Sequence, residues 1–165
     1  MKINKKMETA INKQINAELY SAYIYLSMSA YFEAENLGGF AHWMRLQAQE
    51  EVEHAMKFYK YIFERGGNVS LMAIDKPKLS WQSALAVFEE AYKHEQKVTK
   101  MIDNLVDLAR KDSDKASESF LEWFIDEQVE EEASADEIVQ QLKLIKGNTN
   151  GLFMMNEKLG KRKGE

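Results

Sequence analysis

Glu50, Glu51 and His54 lie within the run QEEVEHAMKFY, residues 49–59, where a helix with a buried stripe needs apolar side chains. Glu51 and His54 are three residues apart, so on a helix they sit roughly 60° from each other and can grip one cation together. Three further glutamates keep step with them. Glu18 precedes Glu51 by 33 residues, Glu95 precedes Gln128 by 33, and His54 and Glu131 each follow three later. QEEVEHA thus maps on DEQVEEE with an offset of 77 residues, pairing Glu50 with Glu127 and Glu53 with Glu130. That is the signature of a duplicated helical hairpin, and two such hairpins bring their polar positions to one level.

Charge pairing separates these glutamates from ordinary surface ones. Glu53, Glu89 and Asp107 have Lys57, Lys93 and Lys111 four residues on, the spacing of a solvated helix pair. Glu18, Glu51, Glu95 and Glu131 have no Lys or Arg three or four residues away on either side, and neither do Glu50, Glu127 and Glu130. Unpaired carboxylates cost several kcal/mol each to bury unless they take a proton or find a cation. No protein cation is expected in this layer, so a bound metal is the natural neutraliser. Carboxylates, one imidazole and a carboxamide, with no thiolate, make a hard oxygen-rich site suited to Fe, Mn or Mg and less to structural zinc. About four central carboxylates balance two divalent ions.

The elements that must carry these residues are long helices. Period-3.6 patterning predicts helices over 5–35, 39–65, 83–111, 113–146 and 149–159. Gly38-Gly39 and Gly66-Gly67 are the expected breaks, and Asp112 or Ser113 the expected cap of the fourth helix. Residues 68–82 hold Pro77, the only proline, and read as an extended crossover. Short joints on either side of one long one make an all-α four-helix bundle with a long crossover between its second and third helices. The buried stripes follow as Ile11, Ile15, Glu18, Ala22, Tyr25, Ser29, Phe32, then Phe40, Met44, Gln47, Glu51, His54, Phe58, Ile62. In the other half they run Phe88, Ala91, Glu95, Val98, Ile102, Val106, then Leu121, Phe124, Gln128, Glu131, Ala135, Ile138, Leu142.

Other side chains have a plain reading beside a functional one. Tyr25 is either a packed tyrosine with a bonded hydroxyl or a redox-active phenol. Trp123 reads as core packing, with electron supply as the alternative. His42 and His94 read as surface or interface residues. The fifth helix, with Leu152, Phe153 and Met154, is too short to stand alone and is expected to dock on a partner surface.

With 165 residues, one domain is expected, and 45% hydrophobic against 30% charged residues makes it globular. Cysteine is absent, which excludes disulfides and thiolate ligands and suits a reducing, cytoplasmic setting. The start, MKINKKMETAINKQ, is basic and polar, unlike a secretory signal. Residues 19–32 form the longest uncharged stretch, too short and too polar to span a membrane. The net charge of −5, with no basic stripe before the KRK near the end, speaks against nucleic acid.

Glu in the first helix, Glu-x-x-His in the second, Glu in the third and carboxylates in the fourth resemble the ferritin-like di-iron pattern over nearly the whole chain. NKQINAELYSAYIYLSM, GFAHWM, QEEVEHAMKFY, ERGG and WFIDEQVEEEAS resemble prokaryotic non-haem ferritin in particular. The resemblance implies a first iron held by Glu18, Glu51 and His54, and a second held by Glu51, Glu95 and Glu131 with Glu51 bridging. It places Gln128 and Tyr25 beside the two irons. Glu50, Glu127, Glu130 and Glu131 resemble a third, transit iron site. It further implies Fe(II) oxidation by dioxygen or peroxide, and storage of ferric oxyhydroxide in a homo-oligomeric shell of twenty-four subunits. No haem is expected, because Val52 stands where the related haem proteins place a methionine, and Gln128-Val-Glu-Glu131 replaces their second Glu-x-x-His. The runner-up is a di-iron oxidoreductase of the same fold that stores no iron.

Overall fold

The computed structural model describes residues 1–164. Five helices account for most of them: α1 (Lys5–Ala34), α2 (Gly38–Glu64), α3 (Ala84–Lys111), α4 (Lys115–Ile145) and α5 (Thr149–Leu159). No strand occurs among the described residues. α1 packs along α2 and α3 along α4, the two hairpins meet through α1 and α3, and α5 lies mainly on α2. Each helix falls within one or two residues of its expected span.

Local chemistry sets the ends. Asn4, Ser83, Asp114 and Asn148 accept a backbone N–H from the first turn of α1, α3, α4 and α5 respectively. The α4 cap is therefore Asp114; Asp112 closes α3 and Ser113 takes the left-handed turn between them at φ 55°. The break after α1 likewise falls on Asn36, at φ 58°, and not on the glycine pair. Gly38 and Gly39 instead open α2, and Gly39 has a packing reason: a Cβ there would stand 1.7 Å from the Asn156 carbonyl oxygen of α5. Gly66, at φ 64°, ends α2 as expected.

The crossover is tied down by α1. Asn12 donates to the Asn68 carbonyl and accepts from the Ser70 amide, and Asn16 reaches the carbonyls of Met72 and Ala73. All four seam stripes are buried from end to end. Two apolar clusters fill the bundle. One, around Phe32, Phe40, Trp43 and Phe88, lies towards the α5 end, and the other, around Ile11, Phe58, Ile102 and Phe124, lies towards the opposite end. The polar layer separates them.

α5 does not wait for a partner to find its place. Met155 and Leu159 are buried against its own bundle, and Asn156 Oδ1 accepts the amides of Gly39 (2.8 Å) and Phe40 (3.2 Å) at the start of α2. Phe153 and Met154 remain exposed on its outer side.

Candidate metal centre

The helices bring Glu18, Glu51, His54, Glu95, Gln128 and Glu131 into one buried layer, none more than 6% exposed. One ligand atom each from Glu18, Glu51 and His54 lie within 4.8 Å of one another, and so do atoms of His54, Glu127 and Glu131. His54 joins the two groups, with Nδ1 3.5 Å from Glu51 and Nε2 3.7 Å from Glu127. Burial, helped by the nearby Lys57 charge, lowers the His54 pKa to about 4, so the imidazole is neutral at pH 7 and offers one unprotonated ring nitrogen to a metal while the other carries a proton.

Hydrogen bonds aim the carboxylates. Gln14 Nε2 donates to Glu18 Oε1 at 2.8 Å, while the other Glu18 oxygen is buried without a partner. Gln47 Nε2 donates to Glu131 Oε2 at 2.8 Å. Glu95 accepts from the Tyr25 hydroxyl and, at 3.2 Å, from Gln128 Nε2. Gln128 also donates to Thr99, whose hydroxyl reaches Glu132 at 2.5 Å. Tyr25 is thus a packed tyrosine with a bonded hydroxyl, in direct touch with a layer carboxylate.

Electrostatics show what the layer lacks. Burial raises Glu18 to about 7 and, with repulsion from Glu95, raises Glu131 to about 8. Burial followed by repulsion from Glu95, Glu18 and Glu131 drives Glu51 well above the carboxylate range. Burial also raises Glu95, although Tyr25 and Gln128 oppose it. Four carboxyls that resist ionisation so close together need a cation before they can all carry charge.

The outer acids divide. Glu127 joins His54 and Glu131, Glu130 points into solvent, and Glu50 Oε2 accepts from Arg162 Nη2 at 2.7 Å. A protein cation does stand beside the layer, at Glu50: it arrives from the C-terminal tail, 112 residues away. Two helical pairs are also corrected. The Lys57 ammonium lies 3.1 Å from the centroid of the Trp123 ring, and Glu89 pairs with Lys143 of α4 at 3.2 Å. Trp123 is not core. It is 37% exposed and sets its ring edge-on to His54, 5.4 Å between centroids.

The histidines outside the layer are also internally engaged. His94 meets Ser21 Oγ at 2.7 Å and lies edge-on to Tyr25, and burial lowers its pKa to about 4. His42 Nε2 donates to the Arg162 carbonyl at 2.8 Å. Sequence reasoning missed Gln14, Thr99 and Arg162. Gln14 carried a signal, four residues before Glu18 on the same face, and Arg162 carried none.

A sequence profile described as a ferritin-like domain matches residues 8–145. The chain is similar to the bacterial non-heme ferritin of Bacteroides fragilis, 46% identical over 160 residues, 97% of this chain and 99% of that one. The bacterial non-heme ferritin of Staphylococcus aureus is 39% identical, over 97% of this chain and 96% of its own. Among solved structures, an open-pore ferritin from Archaeoglobus fulgidus superposes with a TM-score of 0.97 at 50% identity, covering 98% of both chains.

Proposed function

The chain belongs to the ferritin family of iron-storage proteins, and we propose that its buried polar layer is a ferroxidase centre. Fe(II) is the substrate. Glu18, Glu51 and His54 take one ion and Glu51, Glu95 and Glu131 the other, with Glu51 shared. Dioxygen accepts the electrons, and the hard anionic ligands favour the ferric product. One observation carries this reading: four carboxyls with raised pKa values face a neutral imidazole in a layer none of whose members is more than 6% exposed.

The side chains of this layer have separable tasks. Glu18 and Glu131 are partly protonated near neutrality and release those protons as Fe(II) arrives, so protons offset part of the carboxylate charge in the empty site and the metal replaces them when it loads. Gln14, Gln47 and Gln128 fix the carboxylate rotamers without adding charge. Tyr25 donates to Glu95, which orients that ligand and stabilises its ionised form. Glu127, with Glu50, Glu130 and Glu131, forms the onward site for a third iron, and His54 Nε2 faces its Glu127 end.

The mineral is held in a hollow shell of identical subunits, twenty-four by family resemblance, in the cytoplasm, a compartment that the cysteine-free sequence suits. Among the described residues no helix is long and apolar enough to cross a membrane. Aerobic addition of Fe(II) to metal-stripped protein, with sizing of the particle, tests the reading. The expected result is ferric absorbance developing at least about a hundredfold faster than in Glu51→Ala, in a particle of several hundred kilodaltons. Oxidation no faster than in buffer would sink the ferroxidase claim.

A further inference from the structure

Beyond α5 the chain turns back over α2. The amides of Lys161 and Arg162 bond to the carbonyls of Lys158 and Leu159, each at 3.2 Å, and the Arg162 carbonyl is pinned by His42. This sets the Arg162 guanidinium 4.7 Å from the centroid of the Trp43 ring, with Nη2 on Glu50. Arg162 lines an open cleft of about 340 Å³ between α2, α4, the end of α5 and the tail. Its charge reaches the metal layer, where it works against the rise in the Glu131 pKa.

The fit is incomplete. Arg162 Nη1 is buried without a hydrogen-bond partner, an arrangement that costs free energy and that a bidentate pair would avoid. A guanidinium donating through one nitrogen to a carboxylate is a weaker counter-ion than a divalent metal held by several oxygens. The tail is held here mainly by this head group, by the His42 bond and by two turn hydrogen bonds.

We propose that Arg162 is a removable internal counter-ion. In the metal-free protein it neutralises Glu50, and a divalent cation entering beside Glu127 and Glu131 takes Glu50 over and frees the tail from residue 160 onward. The inference rests on the third-iron reading of Glu50, Glu127 and Glu131. It adds that occupancy of that site is signalled to the C-terminal tail, and that the cation must compete with Arg162 to bind.

Zn(II), which is redox-silent, is the probe. Calorimetric titration of the assembled, metal-stripped protein counts ions per subunit in wild type, R162Q, R162K and E127A. Hydrogen exchange of the peptide covering residues 155–165 is followed in wild type with and without Zn(II). The expected results are a third ion bound roughly tenfold or more tightly in R162Q than in wild type, near-wild-type binding in R162K, and faster tail exchange in wild type once the third ion binds. Equal third-ion affinity in wild type and R162Q, with tail exchange unchanged, overturns the counter-ion role and leaves the third site standing. R162K behaving as R162Q overturns it too, because the charge is then not what competes. Only two ions in wild type, R162Q and E127A alike removes the third site and the inference with it. The exchange measurement needs no variant, so a poorly folding R162Q does not shelter the idea.

Discussion

Replacing Glu131 by Gln should stabilise the metal-free protein, and by an amount that depends on pH. An ordinary glutamate titrates at 4.5, whereas Glu131 is held to about 8 by burial and by repulsion from Glu95. Between those values the folded chain keeps a proton that the unfolded chain has lost. Folding is therefore penalised progressively as pH rises from about 4.5, and the penalty levels off only above about 8. At pH 7 the proton-linked loss for this one group is about 3 kcal/mol, an upper figure because the neighbouring carboxyls share protons with it. Glutamine keeps the shape and can still accept from Gln47 Nε2 through its amide oxygen. In a subunit of this size, 1 kcal/mol corresponds to roughly 2–4 °C in Tm. Thermal scans of metal-stripped wild type and E131Q at pH 5 and pH 8 should show close Tm values at pH 5. At pH 8 the variant should melt several degrees higher. Saturating Zn(II) should reverse the order, because only the wild type has the full ligand set. A Tm difference that is the same at both pH values would refute the electrostatic argument.

Zn(II) binding at pH 7 should release protons, because Glu18 and Glu131, at about 7 and about 8, are partly protonated in the empty site; calorimetry in buffers of different ionisation enthalpy counts them. Binding should weaken as pH falls below 7, and a pH-independent affinity would count against the layer as the site. Tyr25→Phe removes a donor from a buried carboxyl and should cost about 1–3 kcal/mol of metal-free stability at pH 8, with a smaller loss at pH 5, read by chemical denaturation. Gly39→Ala should drive α5 off the start of α2, because the new methyl would overlap the Asn156 carbonyl; hydrogen exchange across residues 149–159 should rise while that of α3 stays put.

The fold was legible because its stripes are periodic and its polar interruptions repeat. Glu18, Glu51, Glu95 and Glu131 stood out through the absence of local Lys or Arg partners, a signal that exists in one dimension. What that rule cannot see is a partner supplied from elsewhere. Lys57 has Glu53 four residues before it, yet its ammonium lies on Trp123 of α4, where an aromatic face and a neighbouring acidic helix outcompete one exposed pair. Gly39 read as a breaker because glycine usually is one, and only the approach of Asn156 explains it inside a helix. Trp123 read as core packing, whereas its place is decided by the edge of His54 and by Lys57.

Arg162 carries that lesson furthest. A scan of helical offsets finds no cation for Glu50, because the cation lies in the KRK run that composition marks only as a basic tail. The same geometry gives the two sides of the layer different chemistry. On the Glu18 side, neutrality comes from protons, which a metal displaces without moving the chain. On the Glu50 side it comes from a tethered side chain, which a metal can displace only by moving the tail. The first exchange makes loading depend on pH. The second makes it depend on where residues 160–164 lie, so shortening the tail before Arg162 should alter cation binding beside Glu127 while leaving the protons released by Glu18 unchanged.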